Sequence, residues 1–277
     1  MSAAQIALLG LVAGGTIAFG LPMGRLQNPR LGLKAFLSAT ATGILVFLLV
    51  DVLGSASGLV EEPGIAHHWG AFAGRATLFV VGAGLGLVGL VGYDRWIAAR
   101  RRKAALGPGA ASEAEFAPGG FIHSLTPARS LALLIATGIG LHNFAEGLAI
   151  GQSAASGETR LAVVLVVGFA LHNATEGFGI VAPLAGEQTR PSWGFLGLLG
   201  LIGGGPTLAG TLLGHAWTSQ ALEVAFLSLA GGSILYVIVE LCNVNRAFGK
   251  KTLVTWGVTL GLFLGFATDW ILGISGA

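Results

Sequence analysis

Runs of about 20 apolar residues recur along the whole chain, and no other feature limits its possible folds as strongly. Hydrophobic types make up 53% of the 277 residues and charged types only 10%. This composition excludes a soluble globular enzyme, a disordered protein and a nucleic-acid-binding protein, because each needs polar surface. The sequence predicts an all-α polytopic membrane protein with eight transmembrane helices: Gln5–Leu21, Leu33–Leu53, Trp69–Tyr93, Ser130–Ala154, Leu161–Ala185, Trp193–Trp217, Leu222–Cys242 and Leu253–Ile274.

The basic residues sort by loop. Of the 15 Lys and Arg, 13 lie in the alternate loops that follow spans one, three, five and seven, and the two exceptions are Arg75 and Arg160. Cytoplasmic loops are enriched in these residues, so both termini are expected outside. The segment Met1–Gln5 has no basic residue, which favours a retained first helix over a cleaved signal peptide.

We expect a single transmembrane domain over residues 1–277, with a long cytoplasmic loop at residues 95–128. Residues 54–68 are predicted to form an outer loop. Its Glu61, Glu62, His67 and His68 suit either cation capture or a plain solvated loop. The single cysteine excludes a disulfide framework and any CxxC zinc site.

One sequence word occurs twice in the predicted spans, 30 residues apart. His-Asn-x-x-Glu-Gly begins at His142 in span four and again at His172 in span five. Both copies fall near the middle of their spans, and a short loop makes the two helices antiparallel neighbours, so the words can meet at one depth. Residues four apart share a helix face, which brings each histidine together with its glutamate.

These side chains suit a divalent transition metal. Imidazole and carboxylate groups fit zinc and iron(II), and two carboxylates neutralise a 2+ charge, whereas calcium and magnesium prefer oxygen ligands alone. A lone intramembrane histidine is more often a packing residue, but two matched copies of a costly polar group favour a binding site. The predicted ligands are His142, Asn143, Glu146, His172, Asn173 and Glu176.

The two segments HNFAEGLAIG and HNATEGFGI resemble the paired metal-binding motifs of the ZIP (Zrt/Irt-like) transporters, in particular the GufA-like branch. The resemblance implies a 3+2+3 arrangement, in which spans one to three and six to eight are inverted repeats around spans four and five. It also implies uptake of zinc, iron, manganese or cadmium into the cytoplasm by an elevator-like or rocking motion, with the six motif residues as the transport site.

The chain departs from the family pattern at several positions. Ala145 and Thr175 stand where the family often has proline, so any helix kink must arise otherwise. Gly205 stands where GufA-like members commonly have a glutamate that helps to bind a second metal, and Asn173 where related members can have aspartate. We therefore expect one well-formed metal site or a weak second one.

Other polar residues lie near the span ends. Asp51, His215 and Asp269 fall on the predicted outer side, where they can line an access path or simply reach the interface. Glu240 lies in LYVIVELCN, which resembles the seventh helix of the family, where acidic groups line the metal exit.

Glycines concentrate within the spans, at Gly82 and Gly86, at Gly147 and Gly151, and from Gly194 to Gly214. Small residues let helices approach closely. The pattern fits both tight packing and smooth surfaces on which one group of helices slides along another.

The leading hypothesis is a metal transporter that is not an enzyme and needs no cofactor beyond the transported Zn²⁺, Fe²⁺, Mn²⁺ or Cd²⁺. The alternatives are an intramembrane metal-dependent enzyme and a metal sensor or metal-stabilised bundle that uses the same cluster. The expected partners are the metal ion and the lipid bilayer, with no nucleic acid. The expected location is the inner (plasma) membrane, and a homodimer is left open.

Overall fold

A computed structural model describes residues 1–26, 31–103 and 125–274, and within these ranges it contains helices and no strand. The first helix is followed by two 3-10 turns, Thr16–Phe19 and Leu21–Arg25, and the fifth by another, Ala182–Gly186. The helices are α1 Ala3–Gly15, α2 Leu31–Ile65, α3 Trp69–Lys103, α4 Pro127–Ala155, α5 Thr159–Val181, α6 Trp193–Ala216, α7 Gln220–Ala247 and α8 Lys251–Ile274.

All eight helical segments are long and apolar enough to cross a membrane, which confirms the predicted number of spans within the described residues. The chain is a multi-pass membrane protein. Because the chain crosses the membrane eight times, the first residue of α1 and the last residue of α8 lie at the same end of the molecule. We call this the termini end, and the opposite end, which carries most of the Lys and Arg, the basic end.

The prediction of an outer loop over residues 54–68 is wrong, because α2 continues to Ile65. The guanidinium of Arg75 on α3 donates to the Leu59 carbonyl oxygen at 2.6 Å and to Glu62 Oε2 at 2.9 Å. Ser57 donates to Glu61 at 2.9 Å. The two Arg75 bonds hold the helix extension against α3, and both glutamates that suggested a cation site have hydrogen-bond partners.

The long loop predicted over residues 95–128 starts later than its composition suggests. Helix α3 continues through residues 95–103, and α4 begins at Pro127. The greater part of this predicted loop, residues 104–124, lies outside the described residues.

The helices form two groups of four. We call α1, α4, α5 and α6 the site bundle, because α4 packs most extensively on α6 and α1 packs on both α5 and α6. We call α2, α3, α7 and α8 the frame, because α3 packs on α7 while α2 packs on α7 and α8. These pairings persist when α1 is exchanged with α6, α2 with α7, α3 with α8 and α4 with α5, as inverted repeats require.

Glycines account for the closest helix approaches inside each group. In the site bundle, a Cβ added to Gly147 would lie 2.1 Å from the Thr207 carbonyl oxygen. In the frame, a Cβ on Gly232 would lie 2.1 Å from the Ala83 carbonyl oxygen. No real side chain tolerates such a contact with backbone, so glycine is required where these helices cross.

Between the two groups, the atoms nearest to a Cβ on Gly138 or Gly179 belong to side chains. A Cβ on Gly138 of α4 would lie closest to Val237 of α7, at 2.6 Å. A Cβ on Gly179 of α5 would contact Leu241 and Ala41 at 3.3 and 3.5 Å. The glycines named above therefore lock backbones within each group, whereas side chains form the boundary between the groups.

Candidate metal site

Both copies of the His-Asn-x-x-Glu-Gly word lie in the middle of unbroken helices. His142 is the sixteenth of the 29 residues of α4, and His172 is the fourteenth of the 23 residues of α5. The turn between the two helices includes Gly157 at φ 81°, a left-handed conformation that suits glycine. This short connection makes α4 and α5 antiparallel neighbours and brings the two words to one depth.

An imidazole and two carboxylates meet between these helices. His142 Nε2 lies 3.1 Å from Glu146 Oε1, one turn further along α4, and 3.8 Å from Glu176 Oε1 on α5. Asn173 Nδ2 lies 3.3 Å from Glu146 Oε2. The structure therefore links residues of both words directly, with Glu146 at the centre of the contacts.

The two asparagines occupy equivalent places in the inverted repeat. Asn143 Nδ2 donates to the Gly203 carbonyl oxygen of α6 at 2.9 Å, and Asn173 Nδ2 donates to the Ala13 carbonyl oxygen of α1 at 3.1 Å. Each amide nitrogen is thus tied to a neighbouring helix of the site bundle, which leaves the amide oxygen available as a ligand.

All six predicted ligands are buried, with exposed fractions between 0% and 6%. Among the described residues, nine of their buried nitrogen and oxygen atoms have no hydrogen-bond partner, including both ring nitrogens of His172 and both carboxylate oxygens of Glu176. Buried polar groups are normally satisfied, and leaving one unpaired costs about 1–3 kcal/mol. So many unmet groups in one place require a functional explanation.

The side chains as they stand do not form a finished metal shell. Within residues 1–26, 31–103 and 125–274, no three His, Cys, Asp or Glu side chains are arranged to hold one ion. The ring of His172 instead packs edge-on against Phe47, with the ring centroids 6.1 Å apart. The His142–Glu146 and His142–Glu176 distances nevertheless bracket the separation of about 3.4 Å expected between two ligands of a tetrahedral zinc ion.

A cavity of about 220 Å³ extends from this cluster toward the termini end, and His142, Glu146 and His172 line it. Two residues predicted from the sequence, Asp51 and Asp269, also line this cavity, and both are exposed. No Lys or Arg is among the described lining residues. The cavity therefore joins the buried cluster to carboxylates at its exposed mouth.

Sequence reasoning missed a fourth acidic residue of this cavity beside Asp51, Glu146 and Asp269, namely Glu223 in the first turn of α7. The available signal was its position inside the predicted span Leu222–Cys242, at the same end as Asp51 and Asp269. The other two predicted pathway residues, Glu240 and His215, do not line the cavity.

The opposite side of the cluster is closed by apolar packing. Ile44, Ile139, Ile180 and Val237 come from four different helices, lie toward the basic end and belong to one core cluster. Each is at most 2% exposed. The described structure thus presents its polar cluster to a cavity on one side and to a packed apolar barrier on the other.

Gly205 lies in a different part of the molecule. It lines an apolar groove of about 710 Å³ between α4, α6 and α7, together with Leu141 and Phe144. Helix α6 therefore places no carboxylate at the position where the GufA-like pattern has glutamate. The expectation of one well-formed metal site or a weak second one stays a prediction.

Comparison with known proteins agrees with the motif. No curated protein matches the chain. The family described as ZIP zinc transporter matches residues 113–269, more than half of the chain, and this region contains both motif words and the helices α4–α7 in full. The protein belongs to the ZIP family and is a divalent metal transporter.

Proposed function

We propose that the protein imports divalent transition metals into the cytoplasm, zinc foremost, through the paired His-Asn-Glu words on α4 and α5. Iron(II), manganese and cadmium are the other candidate cargoes, since imidazole and carboxylate accept them too. The observation that carries the proposal is the group of nine buried ligand atoms that lack a hydrogen bond among the described residues, at the inner end of a cavity lined by carboxylates.

Metal binding at this site rests on charge and on side-chain freedom. Two carboxylates, Glu146 and Glu176, neutralise the ion, while His142 and His172 supply neutral imidazole nitrogens. Because His142 now faces Glu146 at 3.1 Å, binding requires the two side chains to turn toward a shared ion. Protons compete for the same atoms, so acidification should weaken uptake.

The cavity and the distribution of charges support inward transport. Metal would arrive from the termini end past Asp51, Glu223 and Asp269. The excess of Lys and Arg at the opposite end marks that end as cytoplasmic. We place the protein in the inner (plasma) membrane on the same grounds and on the resemblance to GufA-like transporters.

For the metal to leave toward the cytoplasm, the apolar side chains that close the basic end must separate. We propose alternating access in which the site bundle moves as a unit against the frame. Backbone contacts at glycines hold each group together, and the boundary between the groups consists of side chains such as Leu241 and Ala41 against Gly179. Such a boundary can be repacked without unlocking either group.

The test is zinc influx into sealed proteoliposomes that contain a trapped zinc dye. Wild type should show influx that saturates with zinc. Glu146→Gln keeps the shape of the side chain and removes its charge, and it should abolish influx. The matched control is Glu158→Gln, the same change on an exposed residue of the α4–α5 turn, which should transport normally.

Other outcomes decide between the alternatives. Influx retained by Glu146→Gln would place the pathway away from the paired words. An absence of influx of zinc, iron(II) and manganese in wild type, together with tight metal binding by the purified protein, would favour the metal-dependent enzyme or the sensor.

A further inference from the structure

A second cavity, with charged and apolar lining residues, lies at the basic end between the last turns of α7 and the first turns of α8. Its volume is about 450 Å³, and we call it the basic cleft. Its lining includes the cations Arg246, Lys250 and Lys251 and the apolar residues Val254 and Val258. No acidic residue is among the described residues that line it.

The cleft forms where the consecutive helices α7 and α8 diverge. A turn around Gly249, at φ 64°, joins α7 to α8. Away from this turn, α7 packs on α2, α3 and α4, whereas α8 packs on α2. The two helices make almost no contact with each other in the described structure. The basic end of the frame is therefore left open at this point.

The three cations have no counter-charge from the described protein. None of Arg246, Lys250 and Lys251 forms an ion pair or a side-chain hydrogen bond with another described residue. The inverted repeat supplies a comparison, because the α2–α3 connection at the termini end is equivalent to the α7–α8 connection. There, Arg75 pairs with Glu62 at 2.9 Å. At the basic cleft, neutralisation has to come from outside the described protein.

The cleft is also amphipathic along its length. Val258 lies seven residues after Lys251, which is about 10 Å along the helix axis. Because α8 is a membrane-spanning helix that begins at Lys251, we expect the three cations near the membrane surface and the valines closer to the hydrocarbon region. A free phosphate ion would use only the charged mouth, whereas a phospholipid would use the mouth and the apolar wall together.

We propose that the basic cleft binds an anionic glycerophospholipid, with the headgroup phosphate at Arg246, Lys250 and Lys251 and an acyl chain along Val254 and Val258. This inference does not depend on the transported metal. Asn245, which also lines the cleft, donates to Thr42 Oγ1 at 2.9 Å and accepts from Ser38 Oγ at 2.7 Å. The bound lipid would thus support the contact between α7 and α2 in the frame.

The test uses the full-length protein in detergent, with phosphatidylglycerol or phosphatidylcholine added in equal amounts. Native mass spectrometry reports the lipid retained, and a thermal unfolding scan reports stability. We expect wild type to retain phosphatidylglycerol selectively and to unfold at a higher temperature with it. R246Q/K250Q should lose roughly tenfold or more in phosphatidylglycerol affinity, since each cation near a membrane surface contributes measurably to anionic lipid binding.

The matched control is R95Q/R190Q, which removes two exposed cations from the same end of the molecule and outside the cleft. It should bind phosphatidylglycerol as wild type does. Equal losses in the two double variants would overturn the proposal, because general surface charge would then explain binding. Undiminished binding by R246Q/K250Q would overturn it as well.

A further variant separates a lipid from a free anion. Val254→Trp fills the apolar part of the cleft and keeps all three cations, so it should weaken phosphatidylglycerol binding. If binding persists in this variant and millimolar inorganic phosphate displaces the lipid, the cleft is a phosphate site and the lipid assignment is wrong.

Discussion

The site bundle and the frame share one packing scheme, but the asparagine network of the frame and the motif cluster of the site bundle differ in how far their hydrogen bonds are satisfied. In the frame, Asn245 is satisfied by Ser38 and Thr42, so this polar network is complete. In the site bundle, the six motif residues keep nine unpartnered atoms. Similar backbones thus serve different tasks: the frame satisfies this network internally, and the site bundle leaves ligands free for an ion.

The largest expected effect comes from removing a ligand charge in the site bundle. Glu176→Gln should lower zinc uptake by about 100-fold or more, since even indirect supports of a metal site are worth 10–100-fold. Glu61→Gln is the frame counterpart, because this exposed glutamate lies outside the site cavity, and the variant should transport normally. Proteoliposome influx measures both. Equal losses in the two variants would erase the distinction between the groups.

A large effect on stability is expected where glycine joins two backbones. Gly147→Ala places a Cβ against the Thr207 carbonyl oxygen and forces α4 away from α6. Overpacking of this kind costs about 1–3 kcal/mol, which a lower unfolding temperature in detergent would report. Gly89→Ala on α3 is the control, because its Cβ meets nothing within 4 Å. An unchanged unfolding temperature in Gly147→Ala would contradict the packing.

A change at the boundary between the groups should alter transport more than stability. Gly179→Val adds bulk beside Leu241, whose side chain can adjust, and beside the methyl group of Ala41, which moves only with α2. We expect the folded protein to remain stable, the maximal rate to fall severalfold and the zinc KM to stay near the wild-type value. Influx over a range of zinc concentrations tests this. A raised KM at an unchanged maximal rate would indicate a binding defect and argue against movement at this boundary.

The smallest expected effect comes from the acidic mouth contributed by the frame. Glu223→Gln removes one carboxylate from the cavity, which should raise the zinc KM a few-fold and leave the maximal rate intact, because surface carboxylates mainly concentrate cations. High salt should reduce the difference between the variant and wild type. A salt-independent loss of maximal rate would instead make Glu223 part of the binding site.

Local patterns in the sequence were sufficient for the spans and for the ligand candidates. Twenty apolar residues mark a membrane crossing, and the repeated word places His142 and His172 at matching depths. The same reasoning wrongly assigned residues 54–65 to a loop. Hydropathy indicates which residues lie in the hydrocarbon core, whereas a helix can continue beyond the core as long as its backbone hydrogen bonds do. The bond from Arg75 to Leu59, which holds that extension, joins residues from two helices.

The membrane fold class, the number of spans and the two His-Asn-Glu words can be read from the amino-acid sequence, because each depends on residues close together in the chain. The folded chain was needed to see that α1, α4, α5 and α6 form one group and that Glu223 shares a cavity with Asp51 and Asp269. It was also needed to find the cleft between α7 and α8, whose cations have no counter-charge among the described residues. These features depend on which helices pack against each other. Helix packing depends on glycines that let two backbones approach closely, and the periodicity of the sequence does not show which helix each glycine faces.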